Sequence, residues 1–104
     1  MNILLCCGAG ISSGLLASAA RKQAKKMGSD ISIEARSHAD VAAYLGKIDI
    51  LMLGPHYKAE LKAFQNLAEP HGVPVVPIPE DIYATIDGKR LIEYAQKVVA
   101  EAGK

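Results

Sequence analysis

The chain has 104 residues, half of them hydrophobic, and a formal net charge of +1. This length suits a single domain spanning residues 1–104 with one hydrophobic core, and the composition excludes a disordered or fibrous chain. No block of like charge is present, which argues against nucleic acid as a partner and against a polybasic membrane patch. The two adjacent cysteines do not make a disulfide framework and fit a reducing compartment, as in a cytoplasmic protein.

The first predicted element is a strand over residues 2–7, which is apolar from Ile3 onward and should therefore be covered on both faces. A loop of glycines and serines follows, and Ser12 or Ser13 is a candidate cap for the first helix. That helix is predicted to run to about residue 27 and to end at Gly28. The residues expected on its buried face are Leu16, Ala20, Ala24 and Met27.

The second predicted strand covers residues 31–35, where apolar and polar residues alternate as in a half-exposed strand. Residues 37–40 resemble a capping box, with Asp40 in place of the usual Glu. They are expected to begin a short second helix that ends at Gly46. Residues 50–53 are apolar throughout and predict a third strand that is fully buried.

A turn at residues 54–55 leads into a third helix, predicted over residues 56–69. The fourth strand, residues 73–77, contains two prolines and is expected at a sheet edge because proline removes ladder donors. Residues 79–85 are predicted as a loop with one helical turn, and Asp87 as the cap of the last helix. The residues expected to be buried are Leu61, Phe64, Leu67 and Ala68 on the third helix and Leu91, Ala95, Val98 and Ala102 on the last.

Strands that alternate with helices predict right-handed βαβ units and an α/β fold. The two all-apolar strands, the first and the third, are expected in the centre of the sheet. The predicted fold is a four-stranded parallel open sheet of order 2-1-3-4, with helices on both faces. The winding direction reverses between strands one and three, and ligands of such sheets bind at that point, beyond the strands' carboxyl ends.

Cys7 lies at this point of the predicted sheet, where the first strand ends. Backbone N–H groups of the loop that follows, together with the positive end of the helix dipole, favour an anion and would favour a thiolate. The alternative is that the glycines only form a tight turn and that Cys7 is a buried apolar filler. Cys6 should point to the opposite face as a core thiol.

Three further loops reach the same edge: residues 36–37, 54–57 and 77–83. His56 is a candidate proton donor or phosphate neighbour, with a solvated residue near a helix start as the alternative. Tyr83 is a candidate cover for the Cys7 loop, with a packing role as the alternative. The histidines and cysteines have no ligand spacing, so we expect no metal. Gly8, Gly10 and Gly14 do not match G-x-G-x-x-G and no Walker lysine is present, so we expect no nucleotide cofactor either.

Residues 3–20 contain no charge, and Ala17-Ser18-Ala19 resembles a signal-peptidase site, which makes a secretory peptide an alternative. It is disfavoured because no Lys or Arg precedes the apolar run and because glycines interrupt it. The same polar and glycine residues dilute the run too strongly for a membrane span, so we expect no direct membrane insertion.

Three motifs carry a resemblance to a known family. Residues 4–16, LLCCGAGISSGLL, resemble the phosphocysteine loop of the enzyme IIB component of the bacterial sugar phosphotransferase system, in the lactose, cellobiose and diacetylchitobiose family. Residues 49–56, DILMLGPH, resemble that family's motif at the third strand, where Gln is common at the last position. Residues 78–79 with Tyr83, followed by residues 87–88, resemble its C-terminal motif. The three motifs occur in the family's order and at its spacing, so the resemblance covers essentially the whole chain.

The resemblance implies a phosphoryl carrier on a four-stranded parallel sheet. Cys7 is implied to accept phosphoryl from a phosphohistidine on a IIA partner and to pass it to a sugar, expected to be a β-linked disaccharide, held by the membrane IIC permease. His56 and Tyr83 are expected near the partner surface. The expected phosphoryl-binding loop comprises Gly8, Ala9, Gly10, Ile11, Ser12 and Ser13. The departures from the family pattern are His56 and the extra Cys6, and neither touches the implied chemistry.

A low-molecular-weight tyrosine phosphatase-like hydrolase is the alternative, because that class also places a Cys-x5 loop ahead of a helix. It requires arginine at position 13, where this chain has Ser13. A response-regulator-like domain requires an acidic cluster and an aspartate at the end of the third strand, where Leu53 and Gly54 stand.

Overall fold

The structure is a computed structural model that describes residues 1–6 and 11–103, without the side chains of residues 11–13, 56 and 58. The strands are β1 (Asn2–Cys6), β2 (Ser32–Arg36), β3 (Ile50–Leu53) and β4 (Val75–Pro77). The α-helices are α1 (Ile11–Lys26), α2 (Val41–Tyr44), α3 (Leu61–Ala68), α4 (Glu80–Thr85) and α5 (Gly88–Glu101). Short 3-10 segments cover His38–Asp40, Pro55–Glu60 and Glu69–His71.

The strands form a parallel sheet of order β2-β1-β3-β4, which confirms the predicted α/β fold and strand order. The central position of β1 and β3 is also confirmed, because Ile3 to Cys6 and all of β3 are buried. Their uninterrupted apolar character follows from this position, since side chains alternate between two covered faces.

Helices cover both faces of the sheet, as predicted. On the first face, Ile3 and Leu5 of β1 pack with residues of α1 and α5. On the second face, Leu4 and Cys6 pack with α2, the end of α3 and the start of β4. The alternation along β1 therefore assigns each core residue to one of two separate clusters.

The close approach of α1 and α5 depends on a glycine. A Cβ atom added at Gly88 would lie 2.5 Å from the backbone carbon of Ala19 and 2.5 Å from the backbone nitrogen of Ala20. No side chain fits this position without movement of backbone, so Gly88 sets the distance between the two helices.

Three residues expected in the core are exposed. Met27 is 47% exposed because it follows the last residue of α1 and precedes Gly28, whose φ is +64°. Leu67 is 47% exposed because it lies to one side of the stripe that Leu61 and Ala68 define at helical spacing. Ala102 is exposed because α5 ends at the residue before it. Ile92, which is fully buried beside Leu91, was not predicted.

Several element boundaries differ from the predicted ones. The predicted third helix is a 3-10 segment over Pro55–Glu60, with Tyr57 outside helical geometry, before α3 begins. The predicted loop at residues 79–85 contains α4, and β4 is shorter than expected. β2 is shifted by one residue, to Ser32–Arg36. The short 3-10 segments have no strong hydrophobic period, and so the sequence pattern merged them with their neighbours.

The predicted helix caps have different outcomes. Asp87 caps α5 as expected, because its Oδ1 accepts a hydrogen bond from the backbone N–H of Arg90 at 3.1 Å. The capping box at residues 37–40 is wrong, since the Ser37 hydroxyl donates to the Asp40 carboxylate at 3.1 Å and neither side chain caps the backbone. The prediction that Ser12 or Ser13 caps the first helix is also wrong, because α1 begins at Ile11 and already includes both serines.

Candidate active site

The carboxyl ends of the strands form one edge of the sheet. Cys6, the last residue of β1, is paired in register with Arg36 of β2 and with Leu53 of β3, and Leu53 is paired with Pro77 of β4. The segments that follow these four residues therefore leave the sheet at the same level. This is the edge at which the sequence predicts a ligand site.

The predicted nucleophile and the first part of its loop lie outside the described residues. These are Cys7, Gly8, Ala9 and Gly10. The structure does describe Cys6, which is fully buried in the second-face cluster, and this confirms that it is a core thiol. The carbonyl oxygen of Cys6 accepts a hydrogen bond from the backbone N–H of Gly54 at 2.8 Å.

The second part of the predicted loop is the first turn of α1. The backbone of Ile11, Ser12 and Ser13 is helical, while their side chains lie outside the description. The first N–H groups of a helix lack intrahelical acceptors, and the helix dipole adds partial positive charge there. The first turn carries no acidic residue, and Lys25 and Lys26 lie in the last turn. The N-terminal end of α1 can therefore accept an anion.

The segment after β3 contains His56, one of the predicted partner residues. Gly54 is buried, and its carbonyl accepts a hydrogen bond from the backbone N–H of Tyr57 at 3.0 Å. His56 lies between them in the 3-10 segment, and its side chain is not among those described. The structure thus brings the backbone of His56 to the carboxyl edge but leaves its chemical role a prediction.

The segment after β4 contains Tyr83, the other predicted partner residue. The backbone N–H of Ile78 donates to the carbonyl of Leu53 at 2.7 Å and fixes the start of this segment. Tyr83 lies in α4, where it is half-buried and packs against the first-face cluster. The packing role that the sequence left open therefore accounts for part of its surface.

An ion pair joins α4 to α5 near this segment. The Arg90 guanidinium donates to the Asp81 carboxylate, and this hydrogen bond is the main reason that the pKa of Asp81 lies below its usual value. Both side chains are at least half exposed. The pair therefore links the two helices at an exposed surface.

Arg36, the last residue of β2, makes contacts within the protein that keep it from acting as a phosphate clamp. Its Nε donates to the Tyr44 hydroxyl at 2.9 Å, its Nη1 donates to the Ala35 carbonyl at 2.8 Å, and its Nη2 lies 3.3 Å from the Glu34 carboxylate. The Tyr44 hydrogen bond, followed by the Glu34 charge, raises the pKa of Arg36. These contacts fix Arg36 on the second face of the sheet.

Two residues to which the sequence assigned no role lie at this edge, and one of them, Tyr57, belongs to the loop at residues 54–57 that was expected there. His38 follows β2, and its Nδ1 lies 3.1 Å from the hydroxyl oxygen of Tyr57, which follows β3. In the sequence His38 lies within the predicted capping box at residues 37–40, nineteen positions before Tyr57. No periodicity or spacing connects such a pair, so the contact could not be predicted.

Other ligand sites find little support in the part of the chain that is described. Within residues 1–6 and 11–103, no group of three or more His, Cys, Asp or Glu side chains is arranged to hold a metal ion. A groove of about 550 Å³ is lined by Gln65, Val73 and Pro74, which places it at the amino end of β4, away from the carboxyl edge. None of the described helices combines the length and apolarity that crossing a membrane requires.

Comparison with known families decides which class of protein carries this edge. The family model described as "PTS system, Lactose/Cellobiose specific IIB subunit" matches residues 2–94. The chain belongs to this family. IIB subunits of the phosphotransferase system are phosphotransferases that act in sugar transport, and the resemblance stated from the three sequence motifs is thereby confirmed.

Individual relatives agree with this assignment. The galactose-specific EIIB component of Lactococcus lactis subsp. cremoris is 33% identical over 102 residues, covering 93% of this chain and 94% of that protein. The cellobiose-specific IIB protein of Borrelia burgdorferi has a TM-score of 0.81 at 28% identity, with 98% of this chain and 94% of that chain covered. The lactose-specific IIB domain of Streptococcus pneumoniae has a TM-score of 0.85 at 16% identity, covering 94% and 96%, and supports the fold alone.

Proposed function

We propose that this IIB subunit is a phosphoryl carrier in which the thiolate of Cys7 holds the phosphoryl group. Cys7 accepts it from a phosphohistidine on a IIA protein and passes it to a sugar bound by the membrane IIC permease. In the first step the S–P bond forms as the P–N bond breaks, and the histidine nitrogen keeps the electron pair. In the second step a sugar hydroxyl attacks phosphorus, loses its proton and releases the thiolate.

The observation that carries this proposal is the family match over residues 2–94, combined with the place of Cys7 in the chain. Cys7 follows the last residue of the buried central strand β1, and three residues lie between it and α1. Backbone N–H groups of Gly8 to Ser13 are proposed to bind the phosphoryl oxygens. Hydrogen bonds to a charged group contribute roughly 1.5–3 kcal/mol each, and several of them would stabilise the transferring dianion without a metal or nucleotide.

The proposed partners follow from this chemistry. Both IIA and IIC must reach the same sulfur atom, so they should use overlapping surfaces at the carboxyl edge, with His56 and Tyr83 nearby. Residues 1–104 are proposed to act as one IIB domain in the cytoplasm that associates with the permease. The relatives' names include galactose and cellobiose, and a β-linked disaccharide is the sugar class we propose.

The test is phosphorylation by a IIA protein of the same family, driven by phosphoenolpyruvate and the general phosphotransferase proteins. The wild-type chain should be labelled at Cys7, and Cys7→Ser should not be labelled, because a serine hydroxyl is almost never ionised at neutral pH. Cys6→Ala is the matched control, which should lose some core packing but keep transfer. Mass mapping of the label to Cys6 or to a histidine would overturn the proposal.

A second measurement separates the carrier from a phosphatase-like hydrolase. A phosphatase loop uses an arginine to clamp the phosphoryl oxygens and a separate acid to protonate the leaving group. This chain has Ser13 at the arginine position, so we expect phospho-Cys7 to outlive one turnover of its donor. Hydrolysis of p-nitrophenyl phosphate should be negligible, and efficient turnover would favour the hydrolase.

A further inference from the structure

The edge of the sheet around β1 is tied together by a chain of contacts that ends in two side chains, His38 and Tyr57. We infer that this pair positions the carrier site, by linking the segments on both sides of β1 and fixing the backbone that leads into Cys7. This inference rests on the proposed function of Cys7. It concerns residues that neither the sequence motifs nor the family match assign to the reaction.

The segments that follow β2 and β3 leave the sheet on either side of the end of β1. β1 lies between β2 and β3, and its last residue, Cys6, is in register with the last residue of each. His38 stands two residues after the end of β2, and Tyr57 stands four residues after the end of β3. A contact between them therefore spans the carboxyl end of β1.

A series of hydrogen bonds leads from the contact between His38 and Tyr57 to β1. The hydroxyl of Tyr57 and the Nδ1 atom of His38 share a hydrogen bond of 3.1 Å. The backbone N–H of Tyr57 donates to the Gly54 carbonyl at 3.0 Å, and the backbone N–H of Gly54 donates to the Cys6 carbonyl at 2.8 Å. That last carbonyl belongs to the planar peptide unit that joins Cys6 to Cys7. Its orientation limits the directions that the following residue can take.

Packing against neighbouring side chains holds the ring of Tyr57 in place. Its ring is half-buried against the second-face cluster and meets the ring of Phe64 edge-to-face, with centroids 6.4 Å apart and an interplanar angle of 89°. The His38 ring is tilted against the Tyr57 ring, with centroids 5.9 Å apart. Because packing holds the ring, the Tyr57 hydroxyl is a fixed point to which the exposed His38 segment can attach.

The hydrogen bonds that lead to the Cys6 carbonyl bear on the alignment of the reacting atoms. In-line transfer requires the sulfur, the phosphorus and the leaving nitrogen to be aligned, and small displacements of a reacting group reduce the rate strongly. A loosened Gly54 turn would let the Cys6–Cys7 peptide rotate and would widen the range of sulfur positions. In this inference the pair acts through the backbone rather than by contact with the phosphoryl group, so its loss should lower kcat and leave the KM for the phosphorylated IIA protein unchanged.

The experiment uses Tyr57→Phe, which keeps the ring and its packing, and His38→Ala. Each variant should transfer phosphoryl from phospho-IIA about fivefold to tenfold more slowly than the wild-type chain, at unchanged KM. The double variant should be no slower than either single variant, because both remove the same link. His38→Asn places a polar atom where Nδ1 stands and should restore most of the rate.

Two matched controls remove the same groups elsewhere. Tyr94→Phe deletes a hydroxyl from a half-buried tyrosine on α5, and His71→Ala deletes an exposed imidazole at the amino end of β4. Both should transfer at the wild-type rate. Hydrogen exchange of the Gly54 amide, measured without phosphorylation, should be faster in Tyr57→Phe and unchanged in Tyr94→Phe.

The outcomes separate this inference from the proposed function. A wild-type chain that takes no label at Cys7 overturns both. A labelled wild type with variants at full rate, with losses that add in the double variant, or with a raised KM and unchanged kcat, overturns the positioning role alone. A raised KM would instead mark the pair as a contact surface for IIA.

Discussion

The two faces of the sheet are covered by helices of different length. The first face is covered by the two longest helices, α1 with 16 residues and α5 with 14, together with α4, and its partly buried rim includes Tyr83 and Tyr94. The second face is covered by α2 and α3, with 4 and 8 residues, and its partly buried rim includes Tyr44, Tyr57 and Phe64. Both rims contain aromatic rings, so the faces differ mainly in the length of the helices that cover them and in the close contact between α1 and α5.

This difference indicates how the molecule combines stability with the proposed carrier site. On the first face α1 packs against the sheet and lies close to α5, and α1 supplies the helix N-terminus of the proposed site. The second face carries the polar links at the carboxyl edge, namely the Arg36–Tyr44 and His38–Tyr57 contacts. We therefore expect mutations on the first face to affect mainly stability, and polar mutations on the second face to affect mainly transfer.

The largest effect is expected where α1 meets α5. Gly88→Ala would place a Cβ atom 2.5 Å from the backbone of Ala19 and Ala20, and neither helix backbone can move without disturbing the core. We expect a loss of about 3 kcal/mol in the free energy of unfolding, at the upper end of over-packing effects. Urea denaturation followed by circular dichroism measures it.

Gly14→Ala is the matched control, because the space around Gly14 within α1 is open. Alanine is the better helix former, so this variant should gain about 0.5–1 kcal/mol. A cost below about 1 kcal/mol for Gly88→Ala, on the same scale, would show that the first face is less tightly packed than its geometry indicates.

The next effect compares the same substitution on both faces. Leu91→Ala removes a fully buried side chain from the first-face cluster, whereas Leu61→Ala removes a half-buried one from the second. We expect a loss of about 3 kcal/mol for the first and about 1.5 kcal/mol for the second, because cavity costs grow with burial. Equal losses in chemical denaturation would contradict the expected dependence of the loss on burial.

The strand order was predictable because it depends on one property that the sequence states directly. Apolar runs without interruption, as in Ile50 to Leu53, require cover on both faces, and alternation or proline marks an edge. The cap at Asp87 and the helix stop at Gly28 were predictable for a similar reason, since each depends on local chemistry.

The features that escaped prediction depend on tertiary geometry. The period of α1 placed Met27 on the buried face, but the period does not state where the helix leaves the sheet. The contact between His38 and Tyr57 joins two short 3-10 segments that have no hydrophobic signal. At the site, the sequence named Cys7 and its loop from residue types, and their roles remain predictions.

The smallest effect concerns how the two faces respond to acid. On the first-face side, the Arg90 hydrogen bond lowers the pKa of Asp81 in the folded chain. A lowered folded pKa means that the pair stabilises the chain above the ordinary aspartate value of about 3.9. This stabilisation is lost as the pH falls through the folded pKa. Because both side chains are at least half exposed, we expect a small contribution.

The measurement is the difference in melting temperature between the wild-type chain and Asp81→Asn at several pH values from 7 to 2. It should be small and constant down to about pH 5, because Asp81 is ionised in both states there. It should then shrink as Asp81 becomes protonated in the folded chain.

Tyr44→Phe is the comparison on the second face. Arg36 stays protonated throughout, since its pKa is raised, so the difference from wild type should not change across the same range. A difference for Asp81→Asn that persists at pH 2 would mean that the ion pair adds nothing, and that the substitution acts through the backbone at the start of α4.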